Sequence, residues 1–175
     1  MPRDTMRETL LATKIFDVER RIYQVPGGEP VVREIVVHPG AVVILPCLGD
    51  DAVVMIRNFR YGPDEELLEL PAGTLEADES PLQCAKRELE EETGYVAGNI
   101  EPFIEFYTSP GICTEKMRSY IATDLTPFRQ RLEAGEQINV EIVDIKRARQ
   151  AVHDGSIRDG KTIAVLAAFF LRNGV

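Results

Sequence analysis

The chain is poor in what a protein needs to hold a polyanion, to staple itself with disulfides or to cross a bilayer. Its 20 lysines and arginines are outnumbered by 29 aspartates and glutamates, for a net charge of −9. Association with DNA or RNA normally calls for a basic patch, so nucleic acid is excluded as a partner. Three cysteines, Cys47, Cys84 and Cys113, form no Cys-x-x-Cys pair, and their odd number points to reduced thiols. With only two histidines in the chain, a cysteine nucleophile lacks an obvious base, which argues against thiol catalysis. No apolar run is long enough to span a bilayer, and the start MPRDTMRETLLATK lacks the apolar centre of a signal peptide. No membrane association and a cytoplasmic location are the expectations.

What is present suits one domain with a sizeable core: 175 residues, 44% of them hydrophobic. Residues 14–25 alternate in part and are separated by Pro26-Gly27-Gly28 from 31–37, which predicts a β-hairpin. His38 beside Pro39 reads as a turn residue. AVVILPCL and AVVMIRNF, joined by Gly49-Asp50-Asp51, are predicted core strands. A short strand over 67–71 follows. FIEFYTS and MRSYIATDL are predicted strands on either side of a loop, Pro110 to Glu115. Residues 146–153 and 162–172 suit helices, the second very apolar and stopped by Asn173-Gly174. Strands interspersed with helices argue for a sheet covered on both faces.

The most informative stretch is GTLEADESPLQCAKRELEEETGY, Gly73 to Tyr95. Ser80, Pro81 and Gln83 predict a helix start with a capping box, and Gly94 its stop. Leu82, Ala85 and Leu89 are spaced to form an apolar stripe. Glu88, Glu91 and Glu92 share a face, while Glu90 points elsewhere. Like charges at i,i+4 cost roughly 0.2–0.5 kcal/mol per pair, and acids in the last turns oppose the helix dipole. A hard divalent cation would compensate, and oxygen-only donors favour Mg²⁺ over zinc. A solvated acidic helix is the alternative that the residues alone leave open. Cys84, on this helix, is expected to pack.

Position by position the segment resembles the Nudix box, with Gly73, Glu79, Arg87, Glu88, Leu89, Glu91, Glu92, Gly94 and Tyr95 in the matching places. The resemblance implies the α/β (α+β) fold of Nudix hydrolases, an α/β/α sandwich with a mixed sheet, preceded here by an N-terminal β-hairpin. Residues 1–38 would then form a dimerisation segment and 39–175 the hydrolase domain. Outside the box, Glu69-Leu70-Pro71-Ala72-Gly73, the proline at position 110, the loop to Glu115, His38-Pro39-Gly40-Ala41-Val42 and Asp159-Gly160-Lys161-Thr162 are similar to ADP-ribose pyrophosphatases.

Carried over, the resemblance implies Mg²⁺, with Mn²⁺ as a substitute, on Glu88, Glu91, Glu92 and the main-chain carbonyl of Ala72. Glu79 and Arg87 would form a structural ion pair. Arg33, Arg60, Phe16 and Gly111 would contact the substrate, with Arg57 less firmly placed. Glu115 would be the general base, acting with the catalytic carboxylates Glu88 and Glu91; Glu136 and Glu141 are the alternative bases. Asp144 departs from relatives that carry an aromatic there, which puts local packing or base contacts in question. The implied reaction is hydrolysis of ADP-ribose to AMP and ribose 5-phosphate. ADP-glucose or GDP-mannose are alternative substrates, and a non-catalytic nucleotide sensor is the alternative from another class. A homodimer is implied too, with Phe16 and Arg33 serving the partner's site.

Overall fold

The computed structural model describes residues 3–132 and 135–174. In chain order its elements are β1 (Arg3–Ala12), β2 (Asp17–Gln24), β3 (Val31–Val37), β4 (Ala41–Leu48), β5 (Ala52–Arg60), β6 (Glu65–Glu69), β7 (Ala72–Thr74), α1 (Pro81–Thr93), β8 (Tyr95–Tyr107), β9 (Lys116–Pro127), β10 (Ile138–Asp144), α2 (Ile145–His153) and α3 (Gly160–Asn173). They fall into two units, Met1–Gly40 with Phe106–Lys116, and Ala41–Glu105 with Met117–Val175.

The second unit is built on β4. Its residues Ala41 to Leu45 are all buried, as an apolar run with both faces covered requires. β4 runs parallel to β9 and antiparallel to β5 and β7, and the sheet order β10-β5-β4-β9-β8, with β6 on β5 and β7 on β4, is mixed. Val42 and Ile44 pack with Cys84, Ala85 and Leu89 of α1 and with Tyr120 and Ala122 of β9. Strand alternation turns Val43 and Leu45 to the opposite face, where α3 packs on β4. Helices thus cover both faces, the predicted α/β/α sandwich. No helix among the described residues is long and apolar enough to cross a membrane.

The ends of α1 match the prediction. Ser80 and Gln83 form the reciprocal capping box, Pro81 opens the helix, and Gly94 closes it at φ 70° with its N–H on the Glu90 carbonyl. Gly94 is needed twice over, because a Cβ there would also stand 2.9 Å from the Gln130 nitrogen. The predicted stripe needs correction. Leu82 is 40% exposed; the buried face is Cys84, Ala85, Leu89, Glu92 and Thr93, so a glutamate holds a position that periodicity assigns to an apolar residue.

Two strands escape the sequence pattern. β10 pairs with β5 along its length. The first unit is a three-stranded antiparallel sheet, β1-β2-β3, rather than a hairpin alone. All of β1 is exposed, so no buried face imprints an alternation on it; it is held by its backbone ladder to β2 and by Arg20, which bridges Glu8 and Glu34. In the same unit the Val36 amide donates to the Ile112 carbonyl at 2.8 Å and the Thr114 amide to the Val36 carbonyl at 2.9 Å, fixing the loop that runs to Glu115.

The packing question raised by Asp144 is answered locally. It is the N-cap of α2, accepting from the amides of Lys146 at 2.8 Å and Arg147 at 3.3 Å. Replacing it with Ala is expected to cost about 1 kcal/mol, a fall of about 2–4 °C in melting temperature for a chain of this size. Calorimetry checks it, and an unchanged melting temperature would contradict the capping role.

Candidate active site

The glutamate face of α1 meets backbone from β7. The Ile44 amide donates to the Pro71 carbonyl at 2.9 Å and the next residues, Ala72 and Gly73, pair with Val43 and Val42. This brings the Ala72 amide to Glu92 Oε2 at 2.8 Å. The residue whose carbonyl is the expected cation ligand thus also holds Glu92 through its N–H. A Cβ on Gly73 would lie 1.8 Å from Glu88 Oε1, so only glycine leaves room for that carboxylate.

Burial decides the electrostatics. Glu92 is 4% exposed, and desolvation, then the neighbouring Glu88, push its carboxyl up to about 8 against the Ala72 amide and Arg60. Desolvation likewise raises Glu88 to about 7, opposed by Arg87 and reinforced by Glu91 and Glu136. Glu136, named from sequence only as an alternative base, is thus one of the charges acting on both carboxylates.

Arg87 is the local counter-charge. It forks onto Glu79, Nε to Oε1 at 2.8 Å and Nη2 to Oε2 at 2.9 Å, the predicted ion pair. That hydrogen bonding holds Glu79 down at about 2. Nη1 also donates to Glu88 at 2.7 Å and Glu91 at 3.2 Å, which the sequence does not reveal. Glu90 points away, as predicted, to Arg131 at 2.7 Å. The C-terminal carbonyls of α1 are met by the Arg131 amide on Glu91 and by Gln130 Nε2 on Glu92, which offsets part of the helix's unfavourable charge placement. Cys84 is buried at Gly73 and Thr74, and burial raises its thiol pKa, consistent with packing.

Arg60 comes from the end of β5 and forks onto Glu69, Nε to Oε1 at 2.8 Å and Nη2 to Oε2 at 2.6 Å. Glu69 is fully buried and also accepts from Lys161 Nζ at 2.5 Å. Glu69 and Lys161 have no role of their own in the sequence reading, although both lie in stretches similar to ADP-ribose pyrophosphatases. Arg57 is paired instead with Glu141 and Glu66.

The remaining predicted residues belong to the first unit. Glu115 Oε2 accepts from Thr108 Oγ1 at 2.6 Å, and Oε1 lies 3.8 Å from His38 Nδ1. His38 accepts from the Gly40 amide, as a turn residue does. Gly111 lies in the exposed loop, Arg33 is exposed with its guanidinium on the Val32 carbonyl, and Phe16 lines a recess with Thr13, Ile15, Val37 and Pro39.

Among the described residues, no three His, Cys, Asp or Glu side chains form a ready-made metal cage. The donor chemistry nonetheless fits a hard cation: Glu88, Glu91 and Glu92 offer oxygens only, Glu92 is buried, the Glu88 side chain keeps only 12% exposure, and Gly73 leaves space at Glu88.

The profile of the family described as "NUDIX domain" matches residues 37–166. The chain belongs to the Nudix family. It is 35% identical over 158 residues to an ADP-ribose pyrophosphatase of Bacillus subtilis (strain 168), covering 89% of this chain and 85% of that protein. It is 40% identical over 171 residues to an ADP-ribose pyrophosphatase of Mycobacterium tuberculosis, covering 95% and 83%. A GDP-mannose pyrophosphatase of Pectobacterium atrosepticum is 33% identical, with 98% and 95% covered. A solved structure titled "Crystal structure of ADP compounds hydrolase" superposes with a TM-score of 0.85 over 99% of this chain and 96% of that one, at 23% identity, a likeness of fold. The Nudix chain described here is accordingly an enzyme of the Nudix hydrolase class, similar to these pyrophosphatases.

The two raised carboxyls make a pH prediction. In the unfolded chain both ionise near 4.5, in the folded one near 7 and 8. Between those values the folded state binds more protons, so their contribution to stability falls as pH rises from about 4.5 to about 8. Cation-free protein is expected to melt lower at pH 8 than at pH 5, and Glu92→Gln to flatten the profile. Thermal melts across pH decide it; profiles of equal slope in both proteins would refute the assignment. Glu79, whose carboxyl is lowered, acts in a separate window, with stability lost below about 4.5.

Proposed function

We propose that the protein hydrolyses the pyrophosphate bond of ADP-ribose to AMP and ribose 5-phosphate, using Mg²⁺, with Mn²⁺ as a substitute. The observation that carries the reading is the pair of mutually repelling carboxylates, Glu92 buried and Glu88 largely so, facing a glycine-bearing strand. Relatives named for ADP-ribose hydrolysis support the substrate. The family relation supports the coarser statement, that the substrate is a nucleotide sugar joined through a diphosphate.

In this reading Glu88, Glu91, Glu92 and the Ala72 main chain hold the cation. When bound, it offsets the charge of the diphosphate and makes water more acidic. The need is large: two unit charges 4 Å apart repel by about 4 kcal/mol at an effective dielectric of about 20, and both substrate and box are anionic. Glu79 keeps Arg87 fixed, and Arg87 orients Glu88 and Glu91. Arg60, its Nε and Nη2 held by Glu69, takes a diphosphate oxygen through the remaining edge of its guanidinium. A carboxylate of the chain accepts a proton from water, the water oxygen bonds to one phosphorus, and the bridging P–O bond breaks with its electron pair on the departing phosphate. Glu115 is the proposed base; the electrostatic reach of Glu136 to Glu88 and Glu92 makes it the alternative. Phe16, Arg33 and Gly111 are proposed substrate contacts. Residues 1–38 are proposed to form a homodimer, supported by the exposed Met6, Leu10 and Leu11 of β1. Light scattering that finds only monomers would refute the dimer.

GDP-mannose is the second reading, favoured by the relative of that name at 33% identity. A panel of ADP-ribose, ADP-glucose and GDP-mannose, read by released nucleotide with Mg²⁺ and Mn²⁺, tests both. ADP-ribose is expected to lead, excess EDTA to abolish turnover, and Glu92→Gln to lower kcat/KM about 100-fold. Equal rates on all three would overturn the narrower claim, and full turnover in EDTA the cation. Wild-type protein that binds nucleotide without any turnover would favour a sensor. Glu115→Gln and Glu136→Gln separate the two bases by which of them loses kcat.

A further inference from the structure

The tetrapeptide Asp159-Gly160-Lys161-Thr162 has a geometry that the proposed reaction does not use. Asp159 caps α3, its carboxylate accepting from the Thr162 amide at 3.0 Å. Thr162, fully buried, accepts at Oγ1 from the Leu70 amide at 2.8 Å. Lys161 lies between the two acids, with Nζ 2.5 Å from Glu69 and 3.0 Å from Asp159. The start of α3 is therefore bolted to the strand residues that lead into the glutamate box, once through backbone and once through charge.

Charge arithmetic explains why the lysine is there. Glu69 is 0% exposed, and Asp159 and Lys161 retain 14% and 11%. Glu69 with Arg60 alone would neutralise itself, but Asp159 would then stand as a second, nearly buried anion beside the pair. Lys161 completes two cations against two anions, which buried charge requires. Arg60 is the one member of the four that reaches out, at 38% exposure. Its Nε and Nη2 are committed to Glu69, which leaves Nη1 outside the fork. Arg60 also lies within electrostatic range of Glu92.

We propose that Lys161 and Glu69 are positioning residues, holding the Arg60 guanidinium so that its free edge meets a phosphate oxygen of the substrate. The inference rests on the diphosphate chemistry proposed above and adds the device that aims its arginine. A long arginine on an unanchored stem samples many rotamers. Displacement of a contacting group by about 1 Å can cost about 100-fold in rate, so a rigid anchor at its base is worth more than its distance from the substrate suggests.

A double-mutant cycle tests this. Lys161→Met, Arg60→Met and the double variant are compared with wild type for kcat and KM on the nucleotide sugar that the wild type turns over, and for affinity toward α,β-methylene ADP-ribose by calorimetry. If Lys161 acts through Arg60, Lys161→Met lowers kcat/KM and analogue affinity about tenfold or more, and the double variant is no worse than Arg60→Met within about twofold. Losses that multiply would mean that Lys161 acts independently of Arg60, and the inference fails. Glu69→Gln, which keeps the side chain's shape, repeats the cycle should Lys161→Met not fold, with the same two outcomes. Wild type that binds the analogue as Lys161→Met does overturns the inference and leaves the proposed function standing. Wild type that neither binds nor hydrolyses any nucleotide sugar overturns both.

Discussion

The structure depends on a repulsion that folding does not remove. Glu88 and Glu92 are carried by α1 into a seam where Ala72 and Gly73 arrive on β7, and water is largely excluded from both carboxylates. Burying an ionised carboxylate without a partner is costly enough that the group takes up a proton instead. Both carboxyls are pushed in that direction, to about 7 and about 8. The surrounding chain mitigates this incompletely: one amide on Glu92, one guanidinium edge on Glu88. A protein selected for stability alone would place an apolar residue at the position of Glu92, which lies on the buried stripe with Ala85 and Leu89. That a glutamate stands there is the strongest physical sign of a site, because perturbed carboxylates concentrate where charge is used.

Two arginines divide the labour of containing that charge, and each is fixed by a carboxylate of its own. Arg87 is forked by Glu79 within the box loop. Arg60 is forked by Glu69, and Lys161 of α3 steadies that glutamate in turn. The pairs differ in what they leave free. Arg87 spends its third nitrogen on Glu88 and Glu91, so its charge is turned inward to the glutamates. Arg60 keeps one edge and a solvent-facing side chain. One guanidinium organises the box, and the other is available to a ligand.

The sequence makes the box legible to an unusual degree, because each of its signals is local. Ser80, Pro81 and Gln83 specify the helix start through hydrogen bonds made within four residues, and Gly94 specifies the stop through its φ. The core strands β4 and β5 are legible for another reason: their apolar runs have no alternative but burial. Legibility fails where burial and polarity disagree. Leu82 fits the period yet is exposed, while Glu92 and Glu69 break it and are buried. Strand β1 has no buried face and so leaves no pattern, and its pairing is written only in backbone hydrogen bonds. Asp144 looks like a departure when matched to relatives by type, but its meaning is positional: it sits one residue before α2 and caps it.

The same disagreement separates what holds the fold from what holds the site. Val42, Ile44 and Leu89 would serve any sandwich of this kind, since their contribution depends on area removed from water and hardly on identity. Gly73 and Glu69 would not. A methyl group at position 73 would occupy the place of a carboxylate oxygen, and a neutral side chain at 69 would leave Arg60 and Lys161 facing each other without the anion between them. Such residues are chosen against the local interest of packing, and they lie side by side in the chain, from Glu69 through Leu70 to Gly73. Five residues thus carry the arginine anchor, the amide for Glu92 and the gap for Glu88. Tertiary geometry compresses the requirements of the site into one short strand-to-strand link, whose Glu69 and Leu70 are themselves fully buried, so that a substitution there disturbs core and site together.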